Sequence, residues 1–169
     1  MKDSKHLIFI VEDNEMYSTM LDYILSKENT HQFIRFNSGE KCMENIYLNP
    51  DVIILDYGLP GVDGLETLLN IKKYDVNIPV IILTGNRNLS VAKKLLDSGA
   101  FDYINKDDDD VVSLVIATMN NALSISKENN HQQRSKEKRY VKILCTLLIL
   151  ILIILGIGIA TGNSTRLFK

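Results

Sequence analysis

Five polar residues carry the chemistry this sequence could do: Glu12, Asp13, Asp56, Thr84 and Lys106. Each stands just after a short, mostly apolar run, at residues 6–11, 52–55, 80–83 and 101–105. Runs of four to six such residues, rich in Val and Ile, read as strands buried in a sheet. If the strand ends converge, three carboxylates meet at one point. Left alone they repel, and at least one pKa rises. A hard divalent cation relieves that repulsion, and Mg²⁺ suits a small, partly hydrated oxygen site. An ammonium from Lys106 and a hydroxyl from Thr84 facing the same point would stabilise a phosphoryl group in transfer. Asp56 is the natural nucleophile, giving an aspartyl phosphate. Singly these signals are ordinary, since an acidic pair often marks a turn and a lone Thr or Lys often decorates a surface. Their shared position at the ends of successive strands gives them weight.

The elements that must position these residues follow in order. After the first strand, Asn14 can cap a helix whose apolar face is Tyr17, Met20, Leu21, Ile24 and Leu25. Residues 31–36 read as a second strand. Ser38 caps a short helix burying Cys42, Met43 and Ile46, stopped by Pro50. The third strand ends at Asp56, and the loop 58–64 is rich in Gly and Pro. Leu65, Leu68, Leu69 and Lys72 describe the next helix. Residues 80–83 form the fourth strand. Residues 89–98 form a helix with Ala92, Leu95 and Leu96 inward, closed by Gly99. The fifth strand, 101–105, ends at Lys106. Asp107 to Asp110 then lead into a helix with Val111, Val112, Val115, Met119 and Leu123, where acids favour the positive end of the dipole.

Five strands alternating with five helices predict an α/β fold, a five-stranded parallel doubly wound sheet of flavodoxin-like order 2-1-3-4-5. In that order strands one and three are neighbours at the topological switch point, and ligands bind beyond the carboxyl ends of the strands.

Charge divides the chain. Residues 1–125 carry 11 Lys and Arg against 19 Asp and Glu, while residues 126–169 carry 8 against 2. An acidic front argues against direct contact with nucleic acid. Cys42 and Cys145 lie in unrelated segments and imply no disulfide framework. His6, His31 and His131 share no ligand spacing with them, so zinc is not expected. The first residues show no signal-peptide pattern. The predicted organisation is a domain at 1–125, a charged linker or helix extension at 126–140, a transmembrane helix at 141–160 and a short external tail at 161–169. Residues 143–160 contain no charge, long enough to span a bilayer's hydrocarbon core. Arg134, Lys136, Lys138, Arg139 and Lys142 precede this span, against Arg166 and Lys169 after it. The positive-inside rule then places the domain in the cytoplasm, on a single-pass protein of the cytoplasmic membrane. Gly158 and Gly162 offer a small-residue pattern for helix pairing, hence a homodimer as one possible assembly.

Residues 6–125 resemble the receiver domain of two-component response regulators. The matching residues are Glu12-Asp13, Asp56 with Pro60 and Gly64 beyond it, Thr84-Gly85, Tyr103 and Lys106. The resemblance implies phosphorylation of Asp56 by a histidine kinase or phosphotransfer protein. It also implies Mg²⁺ held by Asp13, Asp56 and the Gly58 carbonyl, with Glu12 acting through water. Thr84 would move toward the phosphoryl group and Tyr103 would turn inward behind it, with Gly85 leaving room. The domain is thus a phosphoacceptor rather than an enzyme, assisting its own phosphorylation and dephosphorylation. One departure stands out. The family has Lys-Pro with a cis bond at the end of strand five, whereas Lys106 precedes Asp107 here. A non-proline cis bond costs about 2.5–4 kcal/mol, so the bond should be trans and the loop shifted, with Lys106 reaching the site from a different angle and Asp107 competing for its charge. Gly58 offers no side chain to position an attacking water, which favours a long-lived phosphoryl group.

Nothing after Ser126 has the pattern of a DNA-binding or catalytic domain. The expected role is therefore a phosphorylation-switched receiver tethered to the membrane and signalling by protein–protein contact. The rival is a receiver-like scaffold or phosphate sink whose phosphorylation drives no output. A haloacid-dehalogenase-type phosphatase is excluded, because that chemistry wants a second acid at the position of Gly58.

Overall fold

The strands form one parallel sheet in the order β2-β1-β3-β4-β5. Their ranges in this computed structural model are β1 Leu7–Val11, β2 Gln32–Phe36, β3 Val52–Asp56, β4 Val80–Thr84 and β5 Asp102–Asn105. The structure describes residues 5–28, 31–85 and 87–164, with the side chains of 28, 127–137 and 149–164 left out. The helices are α1 Glu15–Glu28, α2 Gly39–Glu44, α3 Gly64–Tyr74, α4 Leu89–Asp97 and α5 Val111–Ser164, with a 3₁₀ turn at Ile46–Leu48. The chain divides into two compact units, Met1–Ser126 and Lys127–Lys169.

Alternation along the buried strands separates two cores. Ile8, Ile10, Val52, Ile54, Ile81 and Leu83 face one way and pack on α1 and α5. Phe9, Val11, Ile53, Leu55, Val80 and Ile82 face the other way, toward α2, α3 and α4. β3 and β4 are buried at every residue, as continuous apolar runs in a sheet covered on both faces require. Cys42 lies in the second core, and burial pushes its thiol up to about 12, so it stays protonated and inert.

The local signals hold at several helix ends. The Asn14 side chain accepts from the Tyr17 amide at 3.0 Å, Ser38 accepts from the Lys41 amide at 3.3 Å, and Gly99 takes the positive φ of a helix stop. Three helix faces are rotated from the expected ones. Met20, Leu69 and Leu96 are exposed, and Ser18, Thr67 and Ile71 are buried in α1 and α3. Lys72 spans α3's end, donating to the Ile78 carbonyl at 2.6 Å and the Val76 carbonyl at 3.2 Å. A short helix tucked against a sheet takes its inward face from the crossing direction, which apolar spacing alone leaves open by a residue. The aspartates 107–110 precede α5 in a turn, where the Asp108 and Asp110 carbonyls accept from Val111 and Leu114.

His6 and His31, far apart in sequence, meet at 5.1 Å between ring centroids because β1 and β2 start side by side. His6 Nδ1 lies 3.2 Å from Asp51 Oδ2. Among the described residues no helix is long and apolar enough to cross a membrane. The expected span 141–160 lies outside the described side chains from 149 onward, as do Gly158 and Gly162, and 165–169 of the tail is not described.

Gly64 is fixed by close approach. A Cβ there would collide with the Asp56 carbonyl oxygen and Tyr57 Cα, both backbone. Gly64→Ala in the full chain, held in detergent micelles, should lose about 1–3 kcal/mol of stability, read as a lower denaturation midpoint. Gly85→Ala, whose Cβ would meet nothing within 4 Å, should leave that midpoint unchanged.

Candidate functional site

Register brings the strand ends level. Val11 pairs with Leu55 and Asp56 with Leu83, so Glu12 sits beside Asp56 across the switch point. Thr84 pairs with Asn105, and its carbonyl accepts from the Lys106 amide at 2.8 Å. Two carboxylates are buried here, Glu12 at 3% exposure and Asp56 at 6%, while Asp13 faces solvent. Carboxylate oxygens of all three lie within 4.8 Å of one another.

Between the buried pair sits the Lys106 ammonium, 2.6 Å from Glu12 Oε2 and 2.9 Å from Asp56 Oδ1. Burial pushes the Glu12 carboxyl above its ordinary value; the Lys106 hydrogen bond opposes this and the Asp56 charge adds to it. For Lys106 burial works against the ammonium, but hydrogen bonds to Glu12 and Asp56, with their charges, outweigh it and raise its pKa. Lys106 is thus held as the cation that two buried acids require.

Lys106 reaches the site without a following proline. The described residues contain no cis peptide bond, so Lys106–Asp107 is trans as the missing proline implies. Asp107, however, does not compete for the ammonium. Its amide donates to Asn105 Oδ1 at 2.8 Å, and its carbonyl accepts from Arg87 Nη2 at 3.3 Å. Buried Asn105 shapes the turn that lets a trans bond deliver Lys106 inward, a role no pattern in the sequence announced.

The structure therefore unites Glu12, Asp13, Asp56 and Lys106. Thr84 is buried at the next register step. Gly58 flanks the nucleophile: a Cβ there would lie 3.6 Å from Asp56 Oδ2. Tyr103 stands apart, half-buried, in a hollow of about 330 Å³ lined also by Arg87, Asn105, Asp108 and Leu114. The residue the sequence reading passed over is Tyr17. Assigned there only to an apolar face, it places its ring centroid 4.7 Å from Lys106 Nζ.

Residues 8–118 match the family model described as response regulator receiver domain, and this chain belongs to that family, a family of signalling domains. The DNA-binding transcriptional regulator NtrC of Escherichia coli (strain K12) is 31% identical over 81% of this chain and 28% of its own length. The virulence transcriptional regulatory protein PhoP of Salmonella typhimurium (strain 14028s / SGSC 2262) is 35% identical over 59% of this chain and 44% of its own. The chain thus spans under half the length of these curated relatives. A receiver domain protein from Clostridium thermocellum superposes with a TM-score of 0.67 at 26% identity, covering 72% of this chain and 97% of that one.

Receiver domains bind Mg²⁺ in an acidic pocket, and the donor set here fits one: three carboxylates at close range, one open to solvent. Magnesium should raise the melting temperature of the wild-type chain. At a hundredfold excess over its Kd the gain is about 2.7 kcal/mol. Asp13→Asn should abolish most of that gain while melting normally without the ion.

Proposed function

We propose that this protein is a phosphorylation-switched receiver that takes a phosphoryl group on Asp56 from the phosphohistidine of a histidine kinase or phosphotransfer protein. The observation that carries the reading is the Lys106 ammonium bonded to both buried carboxylates, in place without a following proline. Lys106 engages Asp56 Oδ1, which leaves Oδ2, on the Gly58 side, as the attacking oxygen. As the P–N bond breaks and the O–P bond forms, the ammonium turns from Asp56 to the new phosphoryl oxygens, with Glu12 keeping it charged. Glu12, Asp13, Asp56 and the Gly58 carbonyl would hold Mg²⁺, whose charge offsets that of the phosphoryl oxygens. Thr84 supplies a buried hydroxyl at the site's far wall and Tyr103 responds behind it as the switch. The bare Gly58 leaves no side chain to aim a hydrolytic water, so the phosphoryl group persists although the domain assists its own dephosphorylation.

Treating the full chain in micelles with acetyl phosphate and Mg²⁺ should add one phosphoryl group by intact mass. Asp56→Asn should add none. An unmodified wild type would defeat the reading. A scaffold or phosphate sink would bind its partner equally well as wild type and Asp56→Asn.

Residues 141–160 anchor this receiver to the cytoplasmic face of the membrane, and it signals by contact with a protein partner or a second copy. Val141, Ile143, Leu144, Leu147 and Leu148 are 46–61% exposed, apolar side chains left uncovered as lipid-facing ones would be. Exposed Lys138, Arg139 and Lys142 adjoin it, with Tyr140 at the junction, as at an anionic cytoplasmic surface. The DNA binding named for NtrC is not carried over, because the acidic front half offers little to phosphates. In cell fractionation the full chain should stay with membranes through alkaline carbonate washing. A chain ending at residue 140 should move to the soluble fraction, and retention of both would exclude the anchor.

A further inference from the structure

We propose that Tyr17 is a positioning residue for Lys106, its ring forming the third wall that keeps the ammonium inside the acidic site. The inference rests on the phosphoacceptor reading and deepens it.

An ammonium has three donors. Two directions are taken by Glu12 Oε2 at 2.6 Å and Asp56 Oδ1 at 2.9 Å. The Tyr17 ring, its centroid 4.7 Å from Nζ, covers a further side within the roughly 6 Å range over which a ring face attracts a cation. Tyr17 reaches this place because Asn14 caps α1 and sets the helix's first turn beside the end of β1. The ring packs against the core shared by α1 and α5, which fixes it from behind. Its hydroxyl is buried and has no hydrogen-bond partner, and burial pushes the phenol pKa up, so the ring faces the cation uncharged. An aliphatic residue would fill the same core, but only a ring also turns an attractive face to the ammonium.

The ring suits the transfer step. When phosphorylation draws Lys106 from Asp56 Oδ1 to a phosphoryl oxygen, a carboxylate partner must be released. A ring face attracts without a directional hydrogen bond, so the ammonium can pivot across it while water stays excluded. This is a positioning role, since Tyr17 acts through Lys106.

The full chain in micelles, with acetyl phosphate and Mg²⁺ titrated to saturation, tests this. Tyr17→Phe should phosphorylate at the wild-type rate. Tyr17→Leu should be about three- to tenfold slower, the range expected of a partly desolvated cation–ring contact, with the Mg²⁺ concentration for half-maximal rate unchanged. Phenylalanines of increasing fluorination at position 17 keep the shape while draining the ring face, and the rate should fall stepwise. This series remains decisive if Tyr17→Leu does not fold. A flat fluorination series, or Tyr17→Phe as slow as Tyr17→Leu, overturns the proposal. A wild type that takes no phosphoryl group defeats the parent reading instead. The contact is then judged by the ring-current shift of the Lys106 ε-methylene protons, expected in wild type and Tyr17→Phe and lost in Tyr17→Leu; a wild type without that shift overturns the proposal.

Discussion

Two carboxylates sit almost wholly out of water at adjacent strand ends, and the single ammonium between them makes that arrangement tolerable. Burial and the neighbouring Asp56 charge push the Glu12 carboxyl above its ordinary value, and the Lys106 hydrogen bond works against both. Burial works against the Lys106 charge, and these two acids more than restore it. Such a triad is weak evidence for stability, because desolvation consumes most of the attraction. It is stronger evidence for chemistry: a cation already dehydrated and aimed at a nucleophile has little left to reorganise when charge arrives. The sheet order, the register and the turn after β5 all bear on whether these three groups meet.

The turn after β5 is where this chain departs from its family's usual pattern, and Lys106 still reaches both buried acids. With aspartate after Lys106, the backbone remains trans. The local brace is Asn105, whose side chain takes the Asp107 amide, with Arg87 drawing on the Asp107 carbonyl. The Asp107 backbone is thus tied into this turn, and Lys106 keeps its two acids. The missing proline was the main ground for regarding this domain as an inert scaffold. With Lys106 in place, that ground is weaker.

Most of the sheet was legible in advance. Short runs of Val, Ile and Leu ending in acids, Thr and Lys read as covered parallel strands, and the expected order 2-1-3-4-5 is the one their pairing shows. Caps at Asn14 and Ser38 and the stop at Gly99 were legible because each depends on a few neighbouring atoms. The inward faces of the helices were less so. Met20, Leu69 and Leu96 fit an apolar stripe as well as their buried neighbours do, and only the angle at which a helix crosses the sheet chooses between them. Tyr17 was misjudged for a related reason. On a helix face it reads as packing, and its contact with Lys106 spans most of the domain's sequence.

By itself the sequence determined which groups would do chemistry and that they would stand at strand ends, since residue type and period-two burial are local properties of the chain. It also determined an uncharged run in the second half whose length matches a bilayer. The tertiary structure alone decided that Lys106 pairs with Glu12 and Asp56 rather than Asp107, that Tyr17 borders the site while Tyr103 stands apart from it, and that His6 meets His31. Those outcomes rest on distances of a few ångströms between residues far apart in the chain. Such distances come from strand register and helix crossing, which no local pattern encodes.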